Sequence, residues 1–152
     1  MRRKDKEITD PLAIEAIIQS ARICRLGLID EGRPYIVPLC FGYRKNAIFI
    51  HSASEGKKIE ALRKNPLVCA EFDINTEIVK SEKACNWGMK FQSVIVFGRA
   101  FFLDTISEKR NALHTILDHY ACDPDTLSNN RLITTAVIRI DIERMTGKQA
   151  GY

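Results

Sequence analysis

The stretch His51-Ser52-Ala53-Ser54-Glu55-Gly56-Lys57-Lys58 holds the residue types with the most specific chemistry on offer. An apolar run, Ala47-Ile48-Phe49-Ile50, precedes it. Ile59 and Leu62 follow at helical spacing, and Asn65-Pro66 stops the pattern. A strand therefore runs into a helix start through small residues. Unpaired backbone N–H groups and the positive end of a helix dipole converge at such a turn, and two lysines in its first turn add formal charge. That combination suits a phosphate. The same letters have a second reading. Ser52 and Glu55 match the S-x-x-E capping box, in which both side chains satisfy the helix's own orphan donors. On this segment alone the two readings stand level.

Other chemistry-bearing residues are less organised. The histidines are His51, His114 and His119. His114 and Asp118 share one helical face, and His119 and Cys122 share another. Neither pair has the wider ligand set that a metal needs, so no metal site is expected. His51 ends an apolar strand beside the suspected phosphate turn, where an uncharged imidazole can hydrogen-bond a ligand; position alone favours a satisfied structural histidine. Trp87 is the sole tryptophan and lies in a stretch without apolar periodicity. It reads as a packing anchor, a wall for a planar ligand or an interface residue. Gly27 to Pro34 has the glycine spacing of a phosphate-binding loop, but Arg33 and Pro34 stand where Lys and Ser/Thr are needed. Neither G-x-S-x-G nor G-x-G-x-x-G occurs, which excludes a nucleophile elbow and a dinucleotide fingerprint.

The 152 residues suit a single domain, 1–152, with one core. Hydrophobic content of 45% and charged content of 28% are those of a soluble globular protein. The net charge of +4 is mildly basic and concentrated near the N-terminus, in Arg2, Arg3, Lys4 and Lys6. That run reads as a solvated end, so nucleic acid is not an expected partner. No apolar stretch approaches the roughly 20 residues of a membrane span, and no secretory signal is visible. Five cysteines without C-x-x-C spacing suggest neither a disulfide framework nor structural zinc. Cys24, Cys40 and Cys69 read as small buried hydrophobes, and the cytoplasm is the natural compartment.

The elements that must position these residues follow from periodicity. Asp10-Pro11 starts a helix whose apolar face is Leu12, Ile14, Ile17 and Ile18. Strands are expected over 23–29, 35–43 (interrupted by Pro38), 47–51, 68–73, 93–103 and 136–142. Residues 75–90 read as a long polar loop. Ser107 is expected to cap a helix through about Tyr120, and 145–149 reads as a tail. About six strands joined mostly by short turns, with three helices, argue for an antiparallel sheet closed into a small barrel.

Residues 34–43, the run Ile48-Phe49-Ile50-His51-Ser52-Ala53, Gly56-Lys57-Lys58, and residues 87–100 together resemble the flavin-binding split-barrel superfamily, the pyridoxamine 5′-phosphate oxidase-like proteins. Within it they resemble the 5-nitroimidazole-resistance (Nim-type) branch. The resemblance covers roughly residues 10 to 148. It implies a mainly β fold with a few helices: a six-stranded antiparallel split barrel of Greek-key type. It also implies a homodimer with FMN in two clefts at the subunit interface. The cofactor-binding residues it implies are Val37, Pro38 and Leu39 along the flavin ring, then His51, Ser52 and Ala53, with Lys57 and Lys58 as the phosphate pair. Ser93 matches a polar position near the cofactor. Lys148 is the candidate cation for the charge that builds on a reduced flavin. Ile36 departs from the family pattern, because the oxidases begin this motif with arginine. The C-terminal Trp and Arg segment that recognises pyridoxal phosphate is not found, so a substrate other than vitamin B6 is expected. The implied activity is FMN-dependent oxidation of NAD(P)H with transfer to a small acceptor, nitroreductase chemistry included, and His51 is the candidate catalytic residue. A flavin store or sensor without turnover and a haem-binding split barrel are the alternatives.

Overall fold

The structure, a computed structural model, describes residues 3–122 and 129–152. Eight antiparallel strands form one sheet: β1 (Glu7–Ile8), β2 (Cys24–Asp30), β3 (Arg33–Leu39), β4 (Phe41–Arg44), β5 (Ala47–Ala53), β6 (Leu67–Val79), β7 (Gly88–Phe102) and β8 (Thr135–Ala150). Four helices accompany them: α1 (Pro11–Ser20), α2 (Lys57–Lys64), α3 (Ile106–His119) and α4 (Asn129–Thr134). The strand order is β3-β2-β6-β7-β8-β5-β4, with β1 added to β8. Strands β6, β7 and β8 form a meander, and β5 lies beside β8 rather than β6. That is a Greek-key arrangement, with α2 in the crossover.

The sheet's edges, β3 and β4, are not hydrogen-bonded to each other, yet only Cys40 separates them in the chain. The barrel is thus split in its hydrogen bonds and joined by the covalent chain, in keeping with the split barrel that the resemblance implied. The Tyr120 hydroxyl pins this corner. It accepts from the Phe41 N–H at 3.2 Å and donates to the Arg22 carbonyl at 3.0 Å. Phe41 is fully buried, 4.9 Å from the Phe72 ring and 4.3 Å from His119.

Strand alternation divides the residues between two faces. Leu26, Leu28, Ile48, Ile50, Val68, Ala70, Phe72, Val94, Val96, Ile138 and Ile140 point inward. Helix α1 adds Ile14, Ile17 and Ile18 to this core. Asp10 caps it through Leu12 N–H, as its sequence dictates, but Leu12 is 74% exposed and does not join the apolar face. Across the outer side of β4 and β5, α3 builds a second apolar cluster from Ala112, Leu113, Ile116, Leu132 and Val137. Contact is closest at Gly42, where a Cβ would lie 2.6 Å from the Thr115 carbonyl.

Several sequence expectations are corrected. The strand expected over 35–43 is two strands. Pro38 stays within β3 because β3 is an edge strand, where a missing N–H donor is tolerated, and the break falls at Cys40. Much of the expected loop 75–90 is strand: β6 and β7 extend as a hairpin to Val79 and Gly88, with an irregularity between Ile74 and Glu77. The expected tail 145–149 belongs to β8, which passes an irregularity near Glu143 and pairs with β7 as far as Ala150. Thr105, not Ser107, caps α3, in a capping box with Glu108. Helix α4 was not foreseen. Cys24 is buried, but Cys69 is half-buried and Cys40 exposed.

Gly42→Ala is expected to destabilise the protein by about 1–3 kcal/mol, because a rigid helix backbone occupies the space the methyl needs. Urea unfolding measures this. A loss below about 0.5 kcal/mol would mean that α3 yields freely and is not clamped on β4.

Candidate functional site

Strand β5 leads into the suspected phosphate turn, and Gly56, at φ 112°, turns the chain into α2. That φ is open to glycine and strained for other residues, so Gly56 sets the direction of the helix start. Gly56 is also the N-cap, and no side chain caps α2. The capping box that was the alternative reading of Ser52 and Glu55 does not form, because the helix begins at Lys57, two residues beyond Glu55. The first-turn N–H groups of α2 therefore have no side-chain acceptor among the described residues.

The two lysines differ. Lys57 Nζ lies 3.0 Å from Asp30 Oδ2 and 4.8 Å from the centre of the Tyr35 ring. It ties α2 to the β2–β3 hairpin. Lys58 is half-buried and has no ion pair among the described residues, and burial pushes its pKa down. A partly desolvated cation without a counter-charge is the electrostatic state that an anion relieves. His51 is pushed below its ordinary value by burial and then by the Lys58 charge, both of which favour the neutral imidazole.

Alternation separates the neighbours. Ser52 is on the side of Ile48 and Ile50. His51 is on the other, with Phe49, and lines a cavity of about 190 Å³ with Leu113, Ile116, Leu117, Arg131 and Thr135. Ala53 ends the strand and is exposed.

A second group forms on the outer face of the sheet. Ser93 pairs with Lys148 on one side and Asp73 on the other. Lys148 is thus a strand residue with a fixed neighbour, its Nζ 5.7 Å from the Phe91 ring centre. Arg25 pairs with Asp73 and, at 3.1 Å, with Glu71. Pro38 lies opposite Arg25, whereas Val37 and Leu39 turn inward against the core. The structure therefore gathers the expected residues into two groups. Asp30, which Lys57 reaches, and Arg25 are five residues apart on β2, about 17 Å in an extended strand.

Between the groups lies an apolar outer surface that sequence reasoning missed. Ile36, Gly27, Cys69, Phe97 and Arg144 stand in one row across five strands, the Arg144 guanidinium 4.7 Å from the Phe97 ring centre. Ile29, Ile36, Leu67 and Phe97 are exposed around a cleft of about 510 Å³. A signal was present: Val94-Ile95-Val96-Phe97 is apolar in both phases, the mark of a strand covered on both faces. The Lys57–Asp30 contact and Arg131 beside His51 had no comparable signal, since each joins segments far apart in sequence.

Comparison with known proteins gives a consistent relationship. The family model described as pyridoxamine 5′-phosphate oxidase matches residues 10–149. A crystal structure of a candidate 5-nitroimidazole antibiotic resistance protein from Bacteroides thetaiotaomicron is 36% identical, with a TM-score of 0.86, over 94% of this chain and 86% of that one. A FAD-binding protein from Mesorhizobium loti is 28% identical, with a TM-score of 0.70, over 93% and 96%. A flavocytochrome from Azotobacter vinelandii shares the fold at 21% identity, with a TM-score of 0.85, over 100% and 72%. No functionally curated protein matches.

The lowered His51 pKa gives a pH dependence. A folded-state pKa below the ordinary 6.5 means that the unfolded chain binds the proton more readily. The stability contributed by neutral His51 is then present above about pH 6.5 and is lost as the pH falls below that value. By NMR titration His51 is expected to have a midpoint below 6.5, and His51→Gln to flatten the stability curve on the acid side. A midpoint at or above 6.5 contradicts this account.

Proposed function

The chain belongs to the pyridoxamine 5′-phosphate oxidase family, and from that premise we propose that it is an FMN-dependent oxidoreductase working as a homodimer. NAD(P)H is the reductant and a small compound, such as a nitro-aromatic, the acceptor. The observation that carries the reading is Lys58, half-buried and, among the described residues, without an ion pair, at a helix start whose N–H groups no described side chain caps. A phosphate monoester fits that donor set. The lack of a second cation at Ile36 puts more of the phosphate's charge on Lys58.

FMN, when bound, supplies the redox chemistry. The protein's residues hold and orient it. Lys58, the backbone N–H groups of the α2 start and Ser52 take the phosphate, and Lys57 keeps α2 docked on β2 through Asp30. Ala53 and the β3 backbone at Val37, Pro38 and Leu39 border the cofactor. Ser93 and Lys148, neighbours across β7 and β8, offer a hydroxyl and a cation for the polar edge of the ring. His51, neutral beside the Lys58 charge, offers a hydrogen bond to substrate in its cavity.

The dimer reading is supported by the outer face. Ile29, Ile36, Leu67, Ile95 and Phe97 are each 39–66% exposed, a contiguous apolar surface of the kind that marks an interface. A second copy seated there would shield these side chains and enclose the cleft beside Gly27.

Lys58→Ala is expected to weaken FMN binding by about 1.5–3 kcal/mol in a flavin-fluorescence titration, and Lys57→Ala by less, because Lys57 is committed to Asp30. Equal affinity for Lys58→Ala and wild type would count against the site. Steady-state NAD(P)H oxidation by the holoprotein tests the enzyme reading. A flavin spectrum without turnover on any acceptor would leave a flavin store or sensor in its place.

Phe97→Glu buries a charge in the proposed interface, and in sedimentation velocity it is expected to shift the protein to monomer. A dimer that persists unchanged would place the interface elsewhere.

A further inference from the structure

A second cleft lies at the other end of β5, between the first half of α3, the β4–β5 hairpin and β8. Its volume is about 470 Å³, within the range of small-molecule sites. The wall is apolar: Ala47 and Ala112 are buried, and Phe49 and Leu103 half-buried. The mouth is cationic, formed by the exposed Arg44, Lys45 and Arg139. Lys45 and Asn46 are both left-handed, at φ 51° and 58°, in the two-residue turn that holds Lys45 at this mouth. Lysine is uncommon in that conformation, where asparagine and glycine are preferred.

Arg44 and Lys45 have no ion pair among the described residues. Arg139 commits its Nε to Asp141 Oδ1 at 2.6 Å. Glu108, the carboxylate lining the cleft, is engaged in the α3 cap, accepting from the Thr105 hydroxyl at 2.6 Å. With Arg139 paired to Asp141, the charge left at the mouth is that of Arg44 and Lys45 set against the Glu108 carboxylate, and an anion placed between Arg44 and Lys45 removes the cost of their mutual repulsion. Asn111, also in the lining, adds a neutral hydrogen-bonding group.

We propose that this cleft is a second ligand site, separate from the strand-to-helix turn, for a small organic anion with an aromatic body. The carboxylate or equivalent group sits among Arg44, Lys45 and Arg139, and the ring lies against Phe49, Leu103 and Ala112. The site is independent of the flavin turn, since Ala47 and Ser52 are five residues apart on β5, about 17 Å.

The test is calorimetric titration of the full-length protein with 1-naphthoate and with its neutral analogue 1-naphthamide. The acid is expected to bind at least about tenfold more tightly than the amide, the difference one charged contact makes. Arg44→Gln with Lys45→Gln, both exposed, is expected to erase that preference. Asn111→Trp, which fills the cleft from an exposed position, is expected to abolish binding of both. Lys57→Ala with Lys58→Ala should leave naphthoate affinity unchanged. Four results would overturn the proposal: no binding of naphthoate, no preference over the amide, a preference that survives Arg44→Gln with Lys45→Gln, or affinity lost in the Lys57 and Lys58 variant.

Discussion

A single residue, Cys40, carries the chain from one edge of the sheet to the other, and the rest of the architecture depends on that corner holding. Strands β3 and β4 are the outermost strands, so nothing in the hydrogen-bond ladder keeps them together. What does is the covalent chain, the Tyr120 hydroxyl between Phe41 and Arg22, and Phe41 buried against Phe72 and His119. Helix α3 reaches this corner because Gly42 lets its backbone come close. The same helix then walls the His51 cavity and the cationic cleft at opposite ends of β5. The barrel corner and the outer-face cavities are thus one packing arrangement.

The inner and outer faces of the sheet do different work. The inner face is a conventional core of branched apolar side chains closed at one end by α1. The outer face carries chemistry: the Arg25, Glu71 and Asp73 cluster, Ser93 beside Lys148, and the apolar row through Gly27 and Phe97. Because alternation is strict, Ser93 and Val94 cannot exchange roles, nor can His51 and Ser52. The electrostatics of the α2 start follow a similar division. Lys57 is neutralised by Asp30 and fixes the helix in place, while Lys58 has no ion pair among the described residues and sits in a partly desolvated position.

How much of this was legible varied by element. The α1 start was plain, because Asp10-Pro11 is a local capping signal that needs no partner. The strand-to-helix turn was found, and of its two readings the capping box fails: S-x-x-E occurs at Ser52, whereas the helix starts at Lys57 after the N-cap Gly56, whose positive φ sets the register. The cap of α3, Thr105 in a capping box with Glu108, lay two residues before the expected cap at Ser107. The β6–β7 hairpin beyond Ile74 was taken for loop, because its few apolar residues, Ile78, Val79 and Met89, are exposed and show no sustained alternation. Lys148 could be a tail or a site residue until β8 was seen to continue past Glu143.

The sequence by itself determined the fold class, the strand-to-helix turn and the family, because these rest on local periodicity, on small residues and lysines at fixed offsets, and on motif order. Only the tertiary structure decided which lysine is free, which face each site residue occupies, and that Cys40 bridges a split sheet. Asp30 is 27 residues from Lys57 in the chain, and Asp73 is 48 from Arg25. Whether such charges meet is set by strand register and by how the sheet curls, and neither is written in any short stretch of sequence.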